Sequence, residues 1–410
     1  MKIALVSSSD SQGGAAIATY RLANALYKRD KDIRLIVSEA DKEDAFLESS
    51  IISKKAKIRN LIYNQISRLA LQKIIKDTSC PRTLNLLPGN LLDLINSNHY
   101  DSVNIHWINN GSLSIKDISK IKSKKILTLH DMWAMCGSEH LVEHPASFYF
   151  NNSHDANVHI IDKYLWNRKR RFWSTEMELI TPSEWLRSCV LDSKLFSRNP
   201  VSVLPNTLDP EIFTTHDQNI CKEILGLNKN KKIIGMGFWS GSDALNKGIS
   251  LLKSIINSNL FNPKDVAFVF FGHKLKANII YEELKGFELT FLGPIRNEFA
   301  MATFYNAIDV TLVPSRVESF SQVSSESQFC GTPVIAFNAT GVKETISHQK
   351  SGYLATAYDN EDFALGIDWV LKNLSKRTHQ KLIRDRALTL WAPDIVVERY
   401  MDILKGSNKI

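Results

Sequence analysis

The chain has 410 residues, more than one hydrophobic core usually supports, so two domains of roughly 200 residues each are expected. Its 44% hydrophobic and 23% charged residues are those of an ordinary soluble globular protein. Five scattered cysteines (Cys80, Cys136, Cys189, Cys221, Cys330) include no CxxC pair, which argues against a disulfide framework or a zinc ribbon and fits a reducing cytoplasm. The net charge of +8 suits nucleic acid, anionic lipid or phosphorylated ligands alike and does not choose among them.

The opening MKIALVSSSDSQGG is too short an apolar run for a secretory segment and reads as a buried first strand over 2–8. Gly13 and Gly14 follow it, ahead of an amphipathic helix carrying Ile17, Ala18, Leu22, Ala25 and Leu26 on its apolar positions. Glycines there let a ligand approach backbone and helix amides, although neither a GxGxxG fingerprint nor a Walker lysine is present and a plain strand-to-helix turn remains the alternative. A second strand is expected at 33–38. Residues 53–77 then hold seven Lys or Arg before the first acid, with Ile58, Ile62, Ile66 and Leu69 on roughly one helical face. Such a helix lies on an anionic membrane, or packs its stripe on its own sheet.

Strands follow at 102–108 and 125–130, the latter ending in His130-Asp131, where a histidine can exchange hydrogen bonds with a sugar hydroxyl or a reacting oxygen. His140, His144, His154 and His159 lie in a polar segment read as loop, where solvated histidines are expected and metal ligation is the minor alternative. WNRKRRFW (166–173) mixes basic and aromatic residues that contact phosphates or headgroups, or form a helix with snorkelling ends. After strands at 178–183 and 201–206, the turn-rich 205–219 reads as a linker, with a domain boundary near 207.

The second half restarts the alternation, with strands expected at 232–238, 266–272, 289–293, 310–315 and 333–337. Its longest apolar run, VAFVFF, is far short of the roughly 20 residues that span a bilayer. Lys247-Gly248 stands where a helix begins, suited to neutralising a diphosphate. PSRVESFSQVSSESQFCGTPVIAF (314–337) sets Glu318 in a turn and Glu326 inside a helix that starts near Ser321 and is closed by Gly331. The free amides of Phe320, Ser321, Gln322 and Val323 then face a diphosphate, with one carboxylate at each end for hydroxyl groups. Taken alone, two helix-start acids are more simply a helix-dipole contribution.

The architecture is therefore α/β: two Rossmann-like doubly wound domains, 1–206 and 207–390, facing across a cleft, with ligands expected at the carboxyl ends of their strands. A last helix at 391–410 is expected to pack back on the first domain. GG after the first strand, HDMW, TPSEWL, VLPNTLD, NKG, FLG, FYNAIDVTLVPSRVESFSQVSSESQFCGTPVIAF and GVKETI together resemble retaining nucleotide-sugar glycosyltransferases of family 4, with the GT-B fold. The resemblance runs over nearly the whole chain and is strongest from 289 to 354.

It implies transfer of a sugar from a UDP- or GDP-linked donor to a hydroxyl of a glycan or lipid-linked acceptor, with retention, in bacterial surface polysaccharide assembly. By position, Glu318 contacts the donor sugar and Glu326 the ribose, Lys247 binds the diphosphate, Gly13 and Gly14 form a loop over it, and His130 lies beside the transferring sugar. His130 and Glu318 are the candidate catalytic residues, and no metal, other cofactor or nucleic acid is implied. The protein is expected in the cytoplasm, at the cytoplasmic face of the membrane through 53–77. Departures from the family pattern are Gly241 and Asn246 where basic residues are usual, which leaves Arg316 as a candidate extra charge, and Ala339-Thr340-Gly341 where Gly-Gly is usual. The rival readings are a sugar-nucleotide epimerase or phosphorylase of the same fold, and a non-enzymatic basic module binding membrane or nucleic acid.

Overall fold

A computed structural model describes residues 1–50, 80–109, 111–142, 159–173, 177–238, 249–272, 284–374 and 376–406, with isolated helical positions at 62, 65, 67, 69, 71 and 280. The chain divides into two compact units, Met1–Thr207 together with Val396–Ile410, and Leu208–Ile395.

The first unit is built on β1 (Ile3–Ser9), β2 (Ile33–Glu39), β3 (Leu47–Ser49), β4 (Ser102–Ile105), β5 (Lys124–Thr128), β6 (Glu178–Thr181) and β7 (Val201–Val203), in the order β3-β2-β1-β4-β5-β6-β7. Every pairing is parallel. The second unit orders β8 (Lys232–Phe238), β9 (Val266–Gly272), β10 (Glu288–Phe291), β11 (Val310–Val313), β12 (Val334–Phe337) and β13 (Gly352–Ala355) as β10-β9-β8-β11-β12-β13, again all parallel. As a central parallel strand covered on both faces, β1 is buried along its whole length, with apolar Ile3–Val6 followed by buried Ser7, Ser8 and Ser9 at its carboxyl end. In each sheet the chain grows outward one way and then returns to the other side of its first strand. That puts a switch point between β1 and β4, and another between β8 and β11, where sheets of this kind leave room for ligands.

All eleven strands expected from sequence are present. β3 and β13 were not anticipated, because each is a short edge strand, half-buried over much of its length, with too few apolar residues to stand out. β4 ends earlier than expected, at Ile105, although backbone pairing continues beside β1: the His106 amide donates to the Val6 carbonyl at 2.9 Å and the Ser8 amide to the Trp107 carbonyl at 2.7 Å. In the basic 53–77 segment, Ile62 and Leu69 are exposed and Leu71 is buried. Apart from Gln65 and Ser67, the rest of that segment, including Lys54, Lys55, Lys57 and Arg59, lies outside the described residues.

From Val396 onward the carboxy-terminal helix Pro393–Lys405 belongs to the first unit. Val396, Val397, Tyr400, Ile403 and Leu404 join Ile3, Leu5, Leu22 and Leu35 in one buried cluster, and Asn104 donates to the Tyr400 hydroxyl at 3.0 Å. In the second unit Gly352 is held against β12 so closely that a Cβ would lie 1.9 Å from the Val334 carbonyl oxygen. Gly352→Ala is therefore expected to destabilise this unit by about 2 kcal/mol. A denaturant titration with an unchanged midpoint would show that β13 yields more easily than this contact implies.

Candidate active site

In the first unit the candidate residues gather at the ends of β1, β4 and β5. Gly13 has φ +92°, a conformation suited to glycine, with no atom within 4 Å of the place a side chain would start. Gly14 is the first residue of the helix Gly14–Tyr27. His130, two residues past β5, is half-exposed and lines a pocket with His106, Trp107, Asn109, Thr128 and Asp131.

The His130-Asp131 pair divides between two networks. His130 Nε2 lies 2.9 Å from Nδ1 of His106, and the two rings stack with centroids 5.2 Å apart. Asp131 instead accepts from the Trp133 amide at 2.9 Å and the Trp107 indole at 3.3 Å, and pairs with His140 Nδ1 at 2.6 Å. Burial pushes the Asp131 carboxyl up, but His140 and these hydrogen bonds outweigh it and hold the group below its ordinary value. Burial drives His130 down to about 4 against the pull of Asp131, and takes His106 well below the usual imidazole range, with His130 adding to the effect. Both rings are therefore neutral near pH 7.

His140 corrects the expectation of a solvated loop histidine. It is buried, held by Asp131 on one side and by the Thr83 hydroxyl, 2.8 Å from Nε2, on the other. His159 caps the helix Ile160–Phe172 by accepting from the Ile161 amide, while His144 and His154 lie outside the described residues. The same helix overturns the snorkelling reading at one position. Lys169 is fully buried, its Nζ donating to the carbonyls of Trp133, Cys136 and Gly137 and standing 3.8 Å over the Trp133 ring. Two helical turns earlier on this face, Asp162 accepts from the Ser138 amide at 2.8 Å and pairs with Arg82 at 2.9 Å. Asp162 and Lys169 thus pin the loop after His130-Asp131 from below.

In the second unit the candidates follow β11. The helix Gln322–Phe329 begins after Ser321, whose hydroxyl accepts from the Ser324 amide, and ends before Gly331, at φ +71°. Half-exposed Glu318 is tied through its backbone: its amide donates to the Thr340 hydroxyl at 3.2 Å, and its carbonyl accepts from Gly341 at 2.8 Å. Ser321 (φ +77°) and Thr340 (φ +50°) both sit in the left-handed region that favours glycine. Such local strain persists only where neighbouring structure enforces it, and here it brackets Glu318. The Thr340 hydroxyl supplies a bond to the Glu318 amide that a glycine at this left-handed position would lack.

Glu326 is 6% exposed and accepts from the Tyr305 hydroxyl at 2.9 Å. Phe320 turns its ring into the core against Trp391, and Gln322 and Val323 are half-buried at the helix start. The polar run SSESQ is buried throughout. Ser327 pairs with Thr311 at 2.7 Å, Ser324 with Thr345 at 2.6 Å, and Gln328 donates to the Ser324 and Thr345 carbonyls. Satisfied polar networks of this kind fix a helix rigidly to its surroundings. Arg316 lies over the Tyr358 ring at 4.4 Å. Lys247, Gly241 and Asn246 lie outside the described residues. Among the described residues no group of three or more His, Cys, Asp or Glu has the arrangement of a metal site, and no helix is long and apolar enough to cross a membrane.

The chain carries the GT-B fold. Residues 12–212 match the family described as Glycosyltransferase Family 4, and residues 217–384 match Glycosyl transferases group 1, so both units are built from glycosyltransferase-family domains. A curated relative, D-inositol 3-phosphate glycosyltransferase of Stackebrandtia nassauensis, is 27% identical over 215 residues. That match covers 48% of this chain and 47% of the relative, so the chain spans about half the relative's length. Among solved structures, sucrose-phosphate synthase from Thermosynechococcus elongatus superposes with a TM-score of 0.69 at 16% identity, over 99% of this chain and 98% of that one. Anabaena Alr3699/HepE in complex with UDP-glucose gives 0.64 at 17% identity, over 99% and 100%.

Proposed function

We propose that the protein transfers a sugar from a nucleotide-diphosphate sugar to a hydroxyl of a glycan or lipid-linked acceptor, retaining the anomeric configuration. The observation that carries this reading is the Glu318–Glu326 arrangement. Two carboxylates flank the start of a rigidly held helix beside the β8–β11 switch point, one half-exposed and one buried under a tyrosine hydroxyl. The matches of both units to glycosyltransferase families, and a structural neighbour that holds UDP-glucose, support it.

In this reading Glu318 accepts hydrogen bonds from the sugar hydroxyls and Glu326 from the ribose. Lys247 and the amides of Phe320, Ser321, Gln322 and Val323 take the diphosphate without a metal, and Gly13-Gly14 lets the backbone approach it. The bond from the anomeric carbon to the diphosphate oxygen breaks, a bond from the acceptor oxygen forms, and the acceptor proton leaves with the diphosphate or to solvent. Catalysis rests on positioning and on stabilising the departing charge, with neutral His130 beside the sugar. The acceptor is placed in bacterial surface polysaccharide assembly at the cytoplasmic face of the membrane, as the family resemblance implies.

A thermal-shift panel of UDP, GDP and their sugars tests the donor. A ligand of the native state raises the melting temperature, so one nucleotide family is expected to stand out in the presence of EDTA as in its absence. If none does, or if labelled donor is epimerised rather than transferred, the transferase reading fails.

A further inference from the structure

His106, one residue past β4, stands at hydrogen-bond distance from His130 and stacks on its ring. Its Nδ1 lies 2.9 Å from His130 Nε2, and its own Nε2 is sealed from solvent with no hydrogen-bond partner among the described residues. A neutral imidazole carries one N–H, and the nitrogen that bears it is set by the bond the other makes. Two arrangements satisfy the contact. If His130 donates from Nε2, the proton of His106 must sit on its own Nε2, a buried N–H with nowhere to go. If His106 donates from Nδ1, neither nitrogen of its own sealed ring carries an unpaired N–H and only a lone pair is left at His106 Nε2, while the His130 proton sits on Nδ1 of a ring that is not fully buried. Orphaned buried N–H groups are the rarer and costlier defect, so the second arrangement is favoured.

We propose that His106 is a positioning residue that fixes His130 as its Nδ1–H tautomer, by donating from its own Nδ1 to His130 Nε2. Free imidazole side chains favour the proton on Nε2, so the dyad inverts the intrinsic preference. The consequence for chemistry rests on the transfer reading above: His130 meets the sugar as a hydrogen-bond donor through Nδ1 and does not act as a base through Nε2. A donor at that place steadies a hydroxyl oxygen, whereas a base would promote donor hydrolysis by activating water.

The tautomer is read directly from two-bond proton–nitrogen correlations of the deuterated full chain carrying ring-labelled histidine near neutral pH. His106 and His130 are assigned by their loss in His106→Phe and His130→Ala. The expected pattern is a protonated Nδ1 and a bare Nε2 in both rings, and a protonated Nε2 on His130 in the unmodified protein overturns the proposal without recourse to any variant. His106→Phe should return His130 to the Nε2–H form. His106→Asn, whose amide can donate from a similar place, should keep Nδ1–H; a His130 tautomer indifferent to both changes shows that His106 does not set it. Because the spectra need no substrate, a failure of every nucleotide to bind would defeat the transfer reading and leave the tautomer standing, and the reverse outcome is equally readable.

Discussion

Lys169→Met is expected to destabilise the amino-terminal unit by about 4 kcal/mol, the scale of breaking a buried, fully engaged charge. Methionine fits the space, but it leaves the carbonyls of Trp133, Cys136 and Gly137 without their donor and removes the cation from the Trp133 ring. The same loop presents the Trp133 amide to Asp131, so the damage reaches the candidate site. Burial pushes Lys169 down to about 7 from an ordinary value of 10.5, with Cys136, Asp131, Asp162 and Glu139 pulling the other way. Between those values the unfolded chain binds the proton and the folded chain releases it, so stability rises as pH climbs through that window and is flat below it. Denaturation midpoints at about pH 6 and about pH 9 read this directly: the variant should lose the upward slope contributed by Lys169. Equal midpoints and equal slopes in the two proteins would mean that the three carbonyls find other partners at no cost.

Glu318→Ala is expected to lower turnover by about a hundredfold to a thousandfold, or ~3–4 kcal/mol of transition-state stabilisation. The fold should survive, because Glu318 is anchored through its backbone by Thr340 and Gly341 while its side chain is half-exposed. Steady-state rates with a labelled donor, alongside circular dichroism, separate loss of chemistry from loss of structure. Full activity in a folded variant would remove Glu318 from the catalytic set. A basic binding module would instead show salt-sensitive association that the change leaves intact.

The sheets were legible because parallel strands buried on both faces must be short apolar runs, and β8 and β9 begin and end where those runs do. Side-chain partnerships were harder to read. His106 lies inside the strand expected at 102–108, whereas β4 ends at Ile105, so its place at a strand end is not apparent from the sequence. His140 lay in a polar stretch that promised solvent, yet its partners Asp131 and Thr83 come from segments the local pattern does not join. Lys169 was the most recoverable of these. Leu165, Lys169 and Trp173 recur every four residues and are all buried, and that spacing alone marks the one cation of the run that faces inward. The buried SSESQ helix could not be foreseen, because hydroxyls are costly inside unless paired, and their partners Thr311 and Thr345 lie on other elements.

The helix Pro393–Lys405 also bears on how the molecule is made. The first unit draws Val396, Val397, Tyr400, Ile403 and Leu404 into the cluster that contains Ile3 and Leu5. During synthesis, at about 5–20 residues per second, the amino-terminal sheet emerges first and must wait for the entire second unit before its last core residues arrive. For roughly ten seconds at the faster rate and about forty at the slower it persists with an uncovered apolar patch, a state that invites chaperone capture. The second unit, Leu208–Ile395, is under no such delay and is complete as soon as its own residues have left the ribosome.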